Sequence, residues 1–94
     1  MEIAIKAKAL RTLDEVAEYI DSLNTPNAGA RWLDKFFIRM QSYAIPDVSY
    51  ALCRNNRLAK RKLSCITYNN WVVAFKIVKD RLVIFEIIHG SLVH

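Results

Sequence analysis

With 94 residues, 14 Lys and Arg against nine Asp and Glu, a net charge of +5 and a 53% hydrophobic composition, the chain predicts one domain, 1–94. A domain this small buries only about 60 to 65% of the surface its unfolded chain exposes, so its core must be efficient or shared with a partner. Cys53 and Cys65 form no C-x-x-C pair and lie near no second ligand set at a metal spacing, which argues against a metal site and a disulfide framework.

Residues 2 to 6, EIAIK, alternate in strand fashion, with Ile3 and Ile5 on one face and Glu2, Ala4 and Lys6 on the other. From Ala9 to Leu23 the apolar positions Leu10, Leu13, Val16, Ala17, Ile20 and Leu23 recur at helical steps, opposite Asp14, Glu15, Glu18 and Asp21. Asn24-Thr25-Pro26-Asn27 stops that helix and starts another, with Thr25 as the expected cap and Pro26 in the first turn, where a missing N–H costs nothing. The second helix is predicted over 26–44, with Leu33, Phe36, Phe37, Met40, Tyr43 and Ala44 as its apolar stripe and Pro46 as its stop. Trp32, Phe36 and Phe37 read as packing residues rather than a stacking platform for bases. So short a connection folds two helices into an antiparallel hairpin.

Residues 47 to 56 have weak periodicity and read as an irregular connection. Strands are predicted over 62–68, 71–79 and 82–89, joined by turns at Asn69-Asn70 and Lys79-Asp80-Arg81 and ended by Gly90. Cys65 sits in the first of these alternations as a small buried hydrophobe. The order is β-α-α-β-β-β, an α+β fold in which the helical hairpin packs on a small, mainly antiparallel four-stranded sheet. No window holds the roughly 18 apolar residues of a membrane span, and the N-terminus has no apolar run of signal length. A reduced, cytoplasmic setting without a membrane partner is the expectation.

The excess of positive charge is local. Arg54, Arg57, Lys60, Arg61 and Lys62 fall close together with no acid between them, a cluster that would attract nucleic acid or an acidic protein segment, or else form a solvated polar loop.

Several pieces in this order resemble a known family. They are A-L-x-x-L-x-x-V-A-x-Y-I over Ala9 to Ile20, the helix from Ala30 ending at Pro46, Arg61-Lys62-Leu63, the strands holding Tyr68 and Val72-Val73-Ala74-Phe75, and Ile84-Phe85-Glu86-Ile87-Ile88-His89-Gly90. Together they resemble the RelE/ParE toxins of type II toxin–antitoxin (plasmid stabilisation) systems over nearly the whole chain. Two chemistries share that fold, since relatives of the RelE kind cut mRNA in the ribosomal A site without a metal and relatives of the ParE kind inhibit DNA gyrase. The resemblance implies a cognate antitoxin that covers the toxin's basic surface, no cofactor, and a homodimer or a toxin–antitoxin hetero-oligomer. Ribosome and mRNA, or DNA gyrase in the alternative, are the implied targets, and an inactive antitoxin-binding module is the third reading.

Metal-free RNA cleavage needs a base for the 2′-hydroxyl, cations for the phosphate and an acid for the leaving oxygen. Lys60, Arg61, Lys62, Tyr68, Arg81, Glu86 and His89 are available on or beside the sheet. Arg61 matches a family position where Arg contacts phosphate, a task that suits a planar guanidinium, and His89 stands where several RNA-cleaving relatives carry a catalytic His or Tyr. The candidate catalytic set is therefore Arg61, His89 and Arg81, with Arg57, Lys60 and Lys62 as candidate RNA-binding residues. Strict alternation puts Glu86 and Ile88 on one face of the last strand and Phe85, Ile87 and His89 on the other. The chain departs from both subgroups, because no Tyr follows Tyr68 and Gly90 is followed by Ser-Leu-Val-His rather than by Arg residues.

Overall fold

A computed structural model describes residues 1–92 and bears out the α+β class and its element order. Strand β1 (Glu2–Ile5) leads into helices α1 (Ala7–Leu23) and α2 (Ala28–Gln41), followed by a short helix α3 (Asn56–Lys60). Strands β2 (Ser64–Tyr68), β3 (Trp71–Val78) and β4 (Arg81–His89) complete the fold, and Gly90–Leu92 close it in one 3-10 turn. The sheet order is β1-β4-β3-β2, with β1 parallel to β4 and the other pairs antiparallel. Among the described residues no helix is long and apolar enough to cross a membrane.

The helical periodicity of α1 buries Ala9, Leu13, Val16 and Ala17 against the sheet and α2, while Leu10 and Leu23 of the expected stripe stay exposed. Helix α2 starts later than predicted. Its N-cap is Asn27 in the left-handed region, with no side-chain cap bond, so Thr25 does not cap it and Pro26 lies in the turn before it. The unsatisfied N–H groups of a first turn need acceptors from elsewhere, and here Asp21 of α1 supplies one, accepting from the Gly29 N–H at 2.8 Å. Gly29 also lets the helices touch, because a Cβ there would stand 2.3 Å from the Ala17 carbonyl oxygen. After Gln41 the chain tightens into i→i−3 bonds from Ser42, Tyr43 and Ala44, so the regular helix ends three residues before the predicted 44.

Between helices and sheet lies the main core, with Phe36, Met40, Leu13, Val73, Phe75, Leu82 and Ile84 sealed from solvent. A smaller cluster of Cys53, Leu58, Leu63 and Ala74, flanked by Cys65, Phe85 and Ile88, covers part of the opposite face. The predicted irregular connection holds an element there. Asn55 caps α3 by accepting from the Leu58 N–H at 3.1 Å, which seats Leu58 in that cluster. The expectation of two independent thiols is corrected, since Cys53 and Cys65 are joined in a disulfide. The chain returns antiparallel there, pairing Leu52 with Ser64 and bonding the Cys53 N–H to the Leu63 carbonyl, and the Cα atoms of Cys53 and Cys65 come to 4.9 Å of one another.

The turn Lys79-Asp80 has both residues at positive φ, the twist that joins antiparallel strands, and Asn69 takes the same region at the β2–β3 turn. Arg81 belongs to β4 rather than to the turn.

Candidate functional site

The face of the sheet turned away from α1 and α2 gathers the positive charge. Its geometry begins with a β-bulge, because Ala74 pairs with Glu86 and Phe75 with Ile84, leaving Phe85 as the extra residue of β4. The bulge breaks the strict alternation expected from sequence and puts Phe85 and Glu86 together on the open side, where Arg81, Val83 and Ile88 also project, while His89 pairs with Trp71 on the helix side.

Glu86 is 2% exposed, and an unpaired carboxylate at that depth would be costly. Lys8 Nζ donates to its Oε1 at 2.9 Å, Arg57 donates to Oε2 at 2.9 Å, and Arg61 Nη1 also donates to Oε2. Burial pushes the Glu86 carboxyl up, but the hydrogen bonds from Arg57, Lys8 and Arg61 outweigh it and hold the pKa at about 2. Three cations on one carboxylate leave two positive charges at this point, on side chains that remain exposed.

Phe85 is wrapped in the same way. Lys6, Arg61 and Lys76 place their charged groups 5.5, 5.9 and 5.6 Å from the centre of its ring. Beside it Lys6, Arg81, Val83 and Val78 line a shallow hollow of about 300 Å³. The result is a continuous cationic platform built on one ring and one carboxylate, suited to phosphate groups or carboxylates.

Of the residues singled out from sequence, Arg57 and Arg61 therefore meet at Glu86, and Arg81 lies on the same face at the far side of Phe85. Lys60 and Lys62 are exposed beside them, Lys62 at positive φ where the chain turns from α3 into β2. His89 is separated from this group, with its ring edge-on to Trp71 at 5.2 Å and Nδ1 2.8 Å from Ser91 Oγ. Tyr68 is buried on the helix side against Trp32 and Phe36. Sequence reasoning missed Lys6, Lys8, Lys76 and Phe85. Lys6 carried a weak signal, since it stands on the polar side of the β1 alternation, whereas the placement of Lys8 and Phe85 follows from packing and from the bulge.

Residues 3–92 match the family model described as ParE toxin of type II toxin-antitoxin system, parDE. No curated protein matches the chain.

Proposed function

The chain belongs to the ParE toxin family of type II toxin–antitoxin systems, and from that premise we propose that it acts by binding, as an inhibitor of DNA gyrase, rather than by cutting mRNA. Membership implies a cognate antitoxin as its partner. The observation that carries the choice of target is the separation of proton-transfer groups from the cations. RNA cleavage needs a base and an acid within hydrogen-bond reach of a phosphate held by Arg or Lys. Here Glu86, with its pKa lowered to about 2 by three cations, is a poor proton acceptor, and His89 and Tyr68 lie on the other side of the sheet. Arg57, Arg61 and Arg81 then serve as anchoring cations, together with Lys60 and Lys62 at the margin. A platform of fixed cations suits an enzyme that already holds DNA, since both phosphates and acidic protein surface are within reach of it.

The test uses the purified toxin free of its antitoxin. Added to gyrase, ATP and relaxed plasmid, it should block supercoiling, and an Arg57→Ala/Arg61→Ala variant should lose most of that effect. Mapping of mRNA 5′ ends in a reconstituted translation reaction is the counter-test. Cuts inside ribosome-occupied codons, absent from naked RNA, would overturn the gyrase reading in favour of mRNA cleavage. Normal supercoiling and intact mRNA would leave the antitoxin-binding module.

A further inference from the structure

A second concavity lies on the helix side, remote in chemistry from the cationic platform. It has a volume of about 540 Å³ and is lined by Thr12, Glu15, Val16, Tyr19 and Ile20 of α1, Trp32 of α2, the Asn69-Asn70 turn, Trp71 and His89. That is the size of an ordinary ligand pocket. The spacing of α1 explains its wall, since residues 12, 15, 16, 19 and 20 share one side of a helix. Trp32 is held by stacking on Phe36 at 5.8 Å and by the edge of Tyr68 at 5.5 Å, and Trp71 by the edge of His89. Ser91 Oγ at 2.8 Å and the Ser91 backbone nitrogen at 3.3 Å both contact His89 Nδ1 and orient the imidazole in the wall.

Among the described residues the lining contains aromatic rings and one carboxylate and no lysine or arginine. After Arg11 helix α1 itself bears only acidic charges, Asp14, Glu15, Glu18 and Asp21. In a chain of net charge +5, the α1 wall of this mouth therefore carries the opposite sign, and the one charged side chain of the lining is Glu15. We propose that the cavity receives one guanidinium side chain presented by a protein partner. Indole faces attract a planar cation, and arginine more often than lysine, because the guanidinium stacks on a ring while its edge donates to a carboxylate such as Glu15. The pocket's volume of about 540 Å³ and its apolar wall residues Val16 and Ile20 also accept the aliphatic stem of that side chain. A nucleotide base would find the rings but would bring phosphate against the acidic side of α1, which charge disfavours.

The inference goes beyond the gyrase reading and is independent of it. Both tryptophans of the chain line the cavity, so the two indole N–H resonances of ¹⁵N-labelled full-length toxin report on its occupancy directly. Titration with N-acetyl-arginine methylamide, to concentrations on the order of tens of millimolar, should shift both indole signals saturably. The norleucine analogue should leave them in place, and Glu15→Gln should weaken arginine binding by up to about fivefold, the range of an exposed ion pair. Glu15 is exposed on its helix, so the variant keeps the fold, which the dispersion of the amide spectrum verifies. Equal shifts from norleucine, unaltered affinity in Glu15→Gln, tighter binding of adenosine monophosphate, or no shift at either indole would each overturn the proposal.

Discussion

On the helix side of the sheet Phe36 is packed by other rings, with Trp32 and Tyr68 at 5.8 and 5.4 Å, and is sealed from solvent. On the open side Phe85 is covered by three cationic side chains, Lys6, Arg61 and Lys76, and a carboxylate, Glu86, is buried next to it. One face thus gains its stability from apolar burial, which no side-chain titration touches, and the other from charge–ring contacts and ion pairs, which depend on pH and salt, and from a disulfide, which depends on reductant. The lesson is that a four-stranded sheet with its two long helices on one side can leave most of its second side unroofed when a small apolar cluster is finished by long cationic side chains that stay partly in water. The same side chains then stand ready for an anionic partner.

Emptying the helix side should have the largest effect. Phe36→Ala removes a fully buried ring from the main core, and should cost about 3–5 kcal/mol by the usual cost of such cavities. In urea denaturation the loss should be the same at low and high salt. A salt-dependent loss would show that the two faces are coupled.

Next in size is the disulfide of the open side. Cys53 and Cys65 close a loop with a sequence separation of 12 around α3, and removing the bond should cost about 3 kcal/mol on the loop-entropy account. Denaturation of the protein with and without a dithiol reductant measures it. The expected outcome is a lower stability after reduction with the helix side of the native protein unchanged, read from the near-ultraviolet signal of Trp32 and Trp71. An unchanged midpoint would mean that Leu58 and Leu63 alone hold the segment.

The division between what could and could not be read from sequence follows the same two faces. The helix side was legible because Leu13, Val16, Phe36 and Met40 repeat at helical spacing, and the hairpin because Asn24 to Asn27 interrupts it. The cluster of Arg57 and Arg61 was also visible as charge. Its counter-ion was not, because Glu86 lies 29 and 25 positions away from them and 78 from Lys8, and because Phe85 enters the same face only through a bulge that alternation does not reveal. The nearness of Cys53 to Cys65 likewise depends on how an aperiodic segment returns to β2. Asp21, which serves the first turn of α2, escaped for the opposite reason: its place on a charged helix face gave it an ordinary solvent role.

Glu86→Gln probes the open side at its centre. The folded pKa of Glu86 is lowered from 4.5 to about 2, so its ion pairs stabilise the protein fully above the unfolded value and lose that contribution as the pH falls through the folded value. The wild type should therefore lose stability between about pH 4.5 and 2, and the variant should show a smaller slope across that window. At neutral pH the variant should be weaker by about 2 kcal/mol, less than the roughly 3 kcal/mol that the shift alone converts to, because water screens the exposed Lys8, Arg57 and Arg61. Parallel curves for the two proteins would remove Glu86 as the counter-ion.

Phe85→Leu is the mildest change and separates stability from partner binding. Leucine keeps most of the buried hydrocarbon but has no π face for Lys6, Arg61 and Lys76. Contacts of this kind at exposed sites are worth about 0.5–1 kcal/mol each and do not add in full when they share one ring. The stability loss should therefore stay near 1 kcal/mol, while the three side chains lose the surface that fixes their directions. If the platform acts by presenting cations already in place, inhibition of supercoiling by the variant should fall by more than its stability does, and with a shallower dependence on salt. Inhibition that tracks the folded fraction alone would mean that Phe85 supports the small apolar cluster and leaves the direction of the cations to Glu86.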